Sequence, residues 1–277
     1  MKTTDLHSWT VTSQQAIRIQ AKLREKLVFR PPKKPIRILA AADVSYDPGG
    51  EFHFGAFLLF RFPDLSLLEK AWAAEKISFP YIPGLLTFRE APVLLKAFSQ
   101  LSQEPDLLLL DGQGIAHPRS MGIASHLGVL LNLPAIGCAK SRLCGGYEEP
   151  GLQKGSTAPL KESGRTVGMA VRTRTGIKPV FVSPGHRMDF ETSVKVVLAL
   201  CRTYRIPEPL RQAHAFVNWL RGGPKLDGFV KSRGELPSPI HGRSPDAPKN
   251  RNHRSADLFR EHQTLNGRES YAPSLVR

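Results

Sequence analysis

The run Asp106-Leu-Leu-Leu-Leu-Asp111 constrains the fold of this chain more than any other feature. A short apolar stretch bounded by acids, with no polar residue facing either side, is the signature of a central strand covered on both faces. Ile36–Asp43 reads the same way, as a mostly buried strand that also finishes on a carboxylate. Before it, Ala16, Ile19, Leu23 and Leu27 recur at helical spacing, which predicts an amphipathic helix over 12–28. Arg30-Pro-Pro-Lys-Lys-Pro35 breaks that helix. A hairpin turn at Asp47–Gly50 leads into a strand over 52–60, and a strand or helix covers 65–77.

The second half alternates. A helix runs to about Leu101, then comes the leucine strand, a helix over 126–133, strands over 167–173 and 179–183, and helices over 192–204 and 207–220. Three early strands followed by alternation predict an α/β chain, a mixed β-sheet flanked by helices on both faces. In such sheets ligands sit at the carboxyl ends of strands. Asp43 and Asp111 therefore share one rim if their strands are parallel neighbours.

Residues 1–221 are expected to form one folded domain. Residues 222–277 are rich in Gly, Pro, Ser and Arg and poor in large apolar side chains, as expected of a disordered basic tail. The chain carries a net charge of +15. Folding does not need that excess, whereas a polyanionic partner rewards it through counterion release. Basic residues outnumber acids by ten to six in the tail, so most of the excess belongs to the domain. A basic but uninvolved surface and an anionic membrane are the competing explanations. No stretch approaches the roughly 20 apolar residues of a membrane span, and the first thirty residues lack an apolar signal core. Cys138, Cys144 and Cys201 show no metal-knuckle spacing and suit a reducing compartment. These features predict a cytoplasmic protein.

Several residues carry chemistry. Two carboxylates at adjacent strand ends are ligands for Mg²⁺, which takes oxygen donors and contacts substrate phosphates. A phosphodiester needs an activated water and a cation on its scissile oxygens. A lone Asp43 would equally end a strand, but an acid after four leucines and before Gly-Gln-Gly has little structural excuse. Glu90 follows Thr87-Phe-Arg, a capping-box pattern that would tie it to a helix start. Pro92 favours a start near 89–91 instead, which leaves Glu90 free.

Pro80-Tyr81-Ile82-Pro83 is a stiff loop, with two prolines fixing φ on either side of an aromatic ring. An exposed Tyr81 there can be pushed into a base stack at little ordering cost. The alternative is an ordinary proline-rich turn with the ring packed down. Gly84 permits close approach to a flipped base or a phosphate. The Gly112–Gly122 loop, which contains His117 and Arg119, supplies backbone N–H groups for an anion, and Lys140 can place a point charge on a phosphate. His214 lies on the last helix, where a histidine is more often structural than functional.

In order along the chain, these segments resemble endonuclease V, the deoxyinosine 3′ endonuclease family. The landmarks are Ala42-Asp-Val-Ser-Tyr46, Pro80-Tyr-Ile-Pro-Gly-Leu-Leu-Thr-Phe-Arg-Glu90, Leu110-Asp-Gly-Gln-Gly-Ile-Ala-His-Pro-Arg119, Ser125-His-Leu-Gly-Val129, Pro134-Ala-Ile-Gly-Cys-Ala-Lys-Ser-Arg-Leu143, Lys178-Pro-Val-Phe-Val-Ser-Pro-Gly-His186 and Ala213-His214. The resemblance implies an RNase H-like fold and Mg²⁺-dependent hydrolysis, with Mn²⁺ as a substitute, of the second phosphodiester 3′ to deoxyinosine, leaving 3′-hydroxyl and 5′-phosphate ends. It implies Asp43 and Asp111 as metal ligands, with Glu90 and His214 completing the catalytic cluster and Lys140 on the scissile phosphate. Tyr81 becomes the wedge, with Pro80, Ile82 and Pro83 around it. Gly84, Leu85, Gly112, Gly122 and Ile123 become the base pocket, and His117 is a further substrate-binding residue. The implied partner of the monomer is deoxyinosine-containing DNA, with inosine-containing RNA open as a second substrate. Thr87, Cys138 and Ser120 depart from the family's usual residues, and the last removes one phosphate contact. Another RNase H-like excision nuclease and a lesion-binding protein that does not cut are the rival readings.

Overall fold

The computed structural model describes residues 6–222. It contains one eight-stranded sheet in the order β3-β2-β1-β4-β5-β8-β7-β6. The strands are β1 (Ile38–Tyr46), β2 (Phe52–Arg61), β3 (Leu67–Lys76), β4 (Leu107–Leu110), β5 (Ala135–Ala139), β6 (Thr157–Glu162), β7 (Arg165–Val171) and β8 (Val180–Pro184). β1, β4 and β5 run parallel, and every other pairing is antiparallel. This is the mixed, RNase H-like sheet the sequence predicts. Two strands had escaped the sequence reading. β5 is too short to show a period, and β6 pairs only at the sheet's edge.

The four leucines of β4 divide between the two faces. Leu107 and Leu109 join the core under α4 (Phe190–Leu200) and α5 (Glu208–Gly222), while Leu108 and Leu110 join the core under α2 (Leu86–Ser99) and α3 (Ile123–Leu131). β1 divides likewise, with Leu39 and Ala41 on one face and Ala40 and Ala42 on the other. All four leucines are essentially inaccessible. Each contributes about 1.5–3 kcal/mol by leaving water, which is why this strand can afford no polar residue before Asp111.

The first helix, α1 (Ser13–Arg24), starts in a capping box between Thr12 and Gln15 and packs on α3. α2 differs from its expected form. It begins at Leu86, not near 89–91, and Pro92 lies inside it with no N–H to offer the carbonyl of Phe88. The start is set by the turn that precedes it, in which Leu85 N donates to Ile82 O at 2.9 Å. Burial of Ala91, Leu94 and Ala97 against the sheet and of Phe88 against α1 and Phe79 then outweighs the missing bond. Gly222 ends α5; the expected tail, beyond that residue, lies outside the described residues. Among the described residues no helix is long and apolar enough to cross a membrane.

Candidate active site

Asp43 does not end its strand. β1 continues to Tyr46 because β2 keeps pairing with it, through Asp43↔Ala56 to Tyr46↔His53. On the other side the parallel partner stops, since the last β1–β4 pair is Ala42↔Leu110. Asp43 and Asp111 are thus the next residue along on each of two neighbouring parallel strands. Their shared rim follows from this register, as the sequence predicts.

Each acid is held by a neighbour. His214 Nδ1 is 2.7 Å from Asp43 Oδ2, and Val44 N donates to Asp43 Oδ1 at 2.8 Å. A carboxylate only accepts, so Nδ1 carries the proton, and His214 Nε2 accepts from Asn218 Nδ2 at 2.9 Å. Ser45 Oγ donates to Asn218 Oδ1 at 2.9 Å and completes the chain. Asp111 pairs with Lys140, whose Nζ is 2.5 Å from Oδ2. Tyr46 Oη donates to Glu90 Oε1 at 2.6 Å. The Arg89 guanidinium lies 4.9 Å from the centre of the Tyr46 ring, in cation–π range, and Arg89 Nη1 donates to Phe79 O at 2.9 Å. Glu90 is free of any capping role because the cap of α2 is Leu85 and uses no side chain.

Electrostatics mark the three acids as a group. Burial pushes the Asp43 carboxyl up from its ordinary value and the Asp111 charge adds to this, against the lowering effect of His214. Burial, then the charges of Asp43 and Asp111, raise Glu90 to about 7 although the Tyr46 bond and Arg89 oppose the rise. Mutually repelling buried carboxylates are stabilised by a cation, and an all-oxygen donor set suits a hard one such as Mg²⁺. Among the described residues no three His, Cys, Asp or Glu side chains already close on a common point. The reason is visible in the pairings, since each acid spends an oxygen on Lys140, His214 or Tyr46. The residues fit a divalent cation by donor chemistry and charge.

Beside the acids opens a cavity of about 290 Å³ lined by Tyr81, Ile82, Pro83, Gly84, Gly112, His117, Gly122, Ile123, Asp111 and Lys140, among others. Tyr81 is 69% exposed, so its ring is not packed down. The loop leading to it is rooted at both ends. Arg89 holds Phe79 O at one end. At the other, the Ile82–Leu85 turn carries Gly84 at φ +78, and a Cβ there would stand 2.7 Å from Arg119 Nη2. The positive φ is what calls for glycine here, since the Arg119 guanidinium is the far end of a flexible side chain and can shift. The floor is equally tight. A Cβ on Gly122 would meet Gln113 O at 2.2 Å.

One expected pocket residue does not line the cavity. Leu85 is buried with Ala16, Phe79 and Phe88, its N–H serves the turn, and its carbonyl accepts from Phe88 N at 3.0 Å, so it does not line the cavity. Pro80 is exposed beside Tyr81 but is not among the lining residues. His117 lines the cavity with both nitrogens engaged: Nδ1 accepts from Arg119 N at 3.1 Å, so Nε2 donates to Gly84 O at 2.9 Å. Burial, opposed by that bond, lowers its pKa to about 4 and keeps the ring neutral.

The sequence reading assigned no role to Gln20, Tyr46, Arg89 or Asn218, nor to the far wall of the cavity at Ser141, Arg142 and Leu143. Asn218 was visible as the residue one helical turn after His214. Gln20 was visible as a polar residue between Ala16 and Leu23 on the buried stripe of α1.

Residues 21–215 match the sequence family described as Endonuclease V. The chain is similar to endonuclease V of Myxococcus xanthus, 47% identical over 218 residues, which cover 78% of this chain and 93% of that protein. Its structure is similar to the crystal structure of endonuclease V from Streptomyces avermitilis, with a TM-score of 0.74 and 41% identity over 77% of this chain and 94% of the other. It is also similar to a variant of Ciona intestinalis endonuclease V in complex with a 23mer DNA containing an inosine followed by a ribo-adenosine. There the TM-score is 0.68, with 28% identity over 76% of this chain and 99% of the other.

Proposed function

The chain belongs to the endonuclease V family and is a nuclease, and we propose that it hydrolyses the second phosphodiester bond 3′ to deoxyinosine in DNA, leaving 3′-hydroxyl and 5′-phosphate ends. One observation carries this reading. The exposed Tyr81 and the acid–lysine pair Asp111–Lys140 line the same cavity. A group able to enter a base stack thus stands beside groups able to act on a phosphate. The Ciona relative, whose crystal holds inosine-containing DNA, supports the substrate class.

The stiff Pro80–Pro83 loop presents Tyr81 to the duplex. The ring replaces the stacking that the target nucleotide loses, and extruding a base costs a few kcal/mol. The freed hypoxanthine enters the cavity over Gly112, Gly122 and Ile123. His117 is part of the wall there, not a hydrogen-bonding reader, because both its nitrogens are spent.

Asp43 and Asp111 would hold Mg²⁺ or Mn²⁺ beside Glu90, and when bound the cation supplies positive charge to the scissile phosphate oxygens. The protein's own groups do the rest. Lys140 turns from Asp111 to the phosphate and contributes a point charge. His214 keeps Nδ1–H on Asp43 and accepts from Asn218 at Nε2, which orients Asp43; Nε2 becomes a proton acceptor for the attacking water only once Asn218 turns away. Tyr46 holds Glu90 in one rotamer.

The protein acts as a monomer in the cytoplasm, a compartment that suits its three free cysteines. A ribo-adenosine follows the inosine in the Ciona complex, and this favours inosine-containing RNA as a second substrate. Purified protein with Mg²⁺ is expected to nick a deoxyinosine duplex one nucleotide past the lesion. Intact lesion binding without any nick would leave the non-cutting reading in its place.

A further inference from the structure

The carbonyl of Gly84 receives three donors. Gln20 Nε2 reaches it at 3.0 Å, His117 Nε2 at 2.9 Å and Arg119 Nη2 at 2.7 Å. The donors also hold one another. Arg119 Nε donates to Gln20 Oε1 at 2.5 Å, Arg119 N donates to His117 Nδ1 at 3.1 Å, and Gln20 Nε2 reaches Met121 O at 3.2 Å. This closed network joins three segments far apart in sequence: α1, the root of the Tyr81 loop, and the loop before α3. Gln20 is completely buried, in the middle of the stripe that packs α1 down.

We propose that Gln20 is a positioning residue for lesion recognition. It fixes the tilt of the 80–84 loop against the 112–122 loop, and so sets the width of the base cavity and the reach of Tyr81. The inference rests on the wedge reading of Tyr81. A carboxamide can accept from Arg119 and donate to a carbonyl at the same time, whereas a carboxylate cannot donate and an ammonium cannot accept. Burying a polar group costs free energy unless it is bonded, so a glutamine in the apolar stripe is stable only while this network is closed. Gly84 transmits the constraint. Its left-handed φ of +78 and the Leu85–Ile82 bond make the root a rigid turn, so an error in the direction of the Gly84 carbonyl becomes an error in the placement of Tyr81. None of the three donors comes from Asp43, Glu90, Asp111, Lys140 or His214. The clamp therefore governs discrimination and leaves the cutting step alone.

The test uses the full chain with Gln20→Leu, which removes both functions at similar volume, and Gln20→Glu, which keeps only acceptance from Arg119. Arg119→Met cuts the network from its half-exposed side, leaving Gln20 Oε1 without its donor, and provides a second variant if the Gln20 substitutions do not fold. Affinity for deoxyinosine and undamaged duplexes is measured in Ca²⁺, with 2-aminopurine next to the lesion reporting unstacking. Single-turnover cutting is measured at saturating DNA in Mg²⁺. We expect the lesion-to-undamaged affinity ratio to fall about tenfold, the unstacking signal to fall with it, and the saturated cutting rate to stay within about threefold. Equal losses on both duplexes, or unchanged discrimination in the folded Gln20→Leu and Arg119→Met proteins, would overturn the proposal. Tyr81→Ala run in parallel separates the two ideas. If it loses discrimination while the clamp variants keep it, the clamp is wrong and the wedge stands. If it keeps discrimination, both fall.

Discussion

Tyr46 and Glu90 are joined by a 2.6 Å hydrogen bond between the phenol and Oε1, across the gap between the end of β1 and the second turn of α2. The bond matters because Glu90 is pushed the wrong way by everything else nearby except Arg89. Burial and the charges of Asp43 and Asp111 raise it to about 7, and the Tyr46 bond is the largest effect restraining that rise. Arg89, stacked on the Tyr46 ring, ties the same phenol to the root of the Tyr81 loop through Phe79 O.

Tyr46→Phe therefore moves the Glu90 pKa further up. An ionised Glu90 is the form that favours a cation, so cutting rises as pH passes through its pKa. The acid limb of a single-turnover pH–rate profile should shift to higher pH, with a loss of about tenfold near neutrality and little change at high pH. A limb that stays in place would remove Glu90 from the catalytic group.

Asp43→Ala and Asp111→Ala each remove a carboxylate from the rim. Cutting of a deoxyinosine duplex is expected to fall by about 10²–10³-fold or more, by comparison with loss of one transition-state contact elsewhere. Binding of the same duplex in Ca²⁺ should survive, because the cavity walls around Tyr81, Gly112 and Ile123 are untouched. If both variants still cut at the wild-type rate, the cation is held elsewhere.

Stability should fall on acidification. Burial lowers His117 and His186 to about 4 and His126 to about 3. These rings stay neutral in the fold, whereas the unfolded chain protonates them below about 6.5. The unfolded state then binds more protons, so their contribution is complete above about 6.5 and is lost as pH falls toward 4, at up to about 1.4 kcal/mol per unit for each ring. Glu90, raised to about 7, works in the opposite direction. In a Glu90→Gln background, the urea midpoint should decrease steadily from pH 7 to pH 5. A flat midpoint would mean that these rings are solvated in the folded protein.

Ending the chain after Gly222 keeps every residue of the candidate site. Cutting at low salt should remain within about threefold of the full chain, with at most a shallower salt dependence of DNA affinity from the lost positive charge. An inactive shortened protein would show that residues 223–277 belong to the catalytic unit.

Much of this site could be read from the chain alone because the strongest constraints are local. Asp111 announces itself, since four leucines that must face two cores leave the next residue at the open end of a strand. The Pro-Tyr-Ile-Pro loop is similarly local, with its stiffness written into the proline rings. What was hidden depends on register and on distant partners. Asp43 looked like a strand end because only the β4 side stops there, whereas the hairpin with β2 carries the strand on to Tyr46. Tyr46 meets Glu90 only once α2 is laid over that pairing. Gln20 meets Gly84 across 64 residues. The start of α2 was misplaced because local proline preference was weighed without the tertiary burial of Phe88 and Ala91.

The early stop of β4 at Leu110 has a further consequence. The opening next to Asp43 is a missing rung in the ladder, since β1 has hydrogen-bonding positions on that side that no neighbouring strand fills beyond Ala42. Extending β4 by two residues of strand-forming sequence would zip that rung shut and carry Asp111 away from its place beside Asp43. The entrance to this enzyme is a matter of strand arithmetic, and a loop insertion elsewhere could not substitute for it.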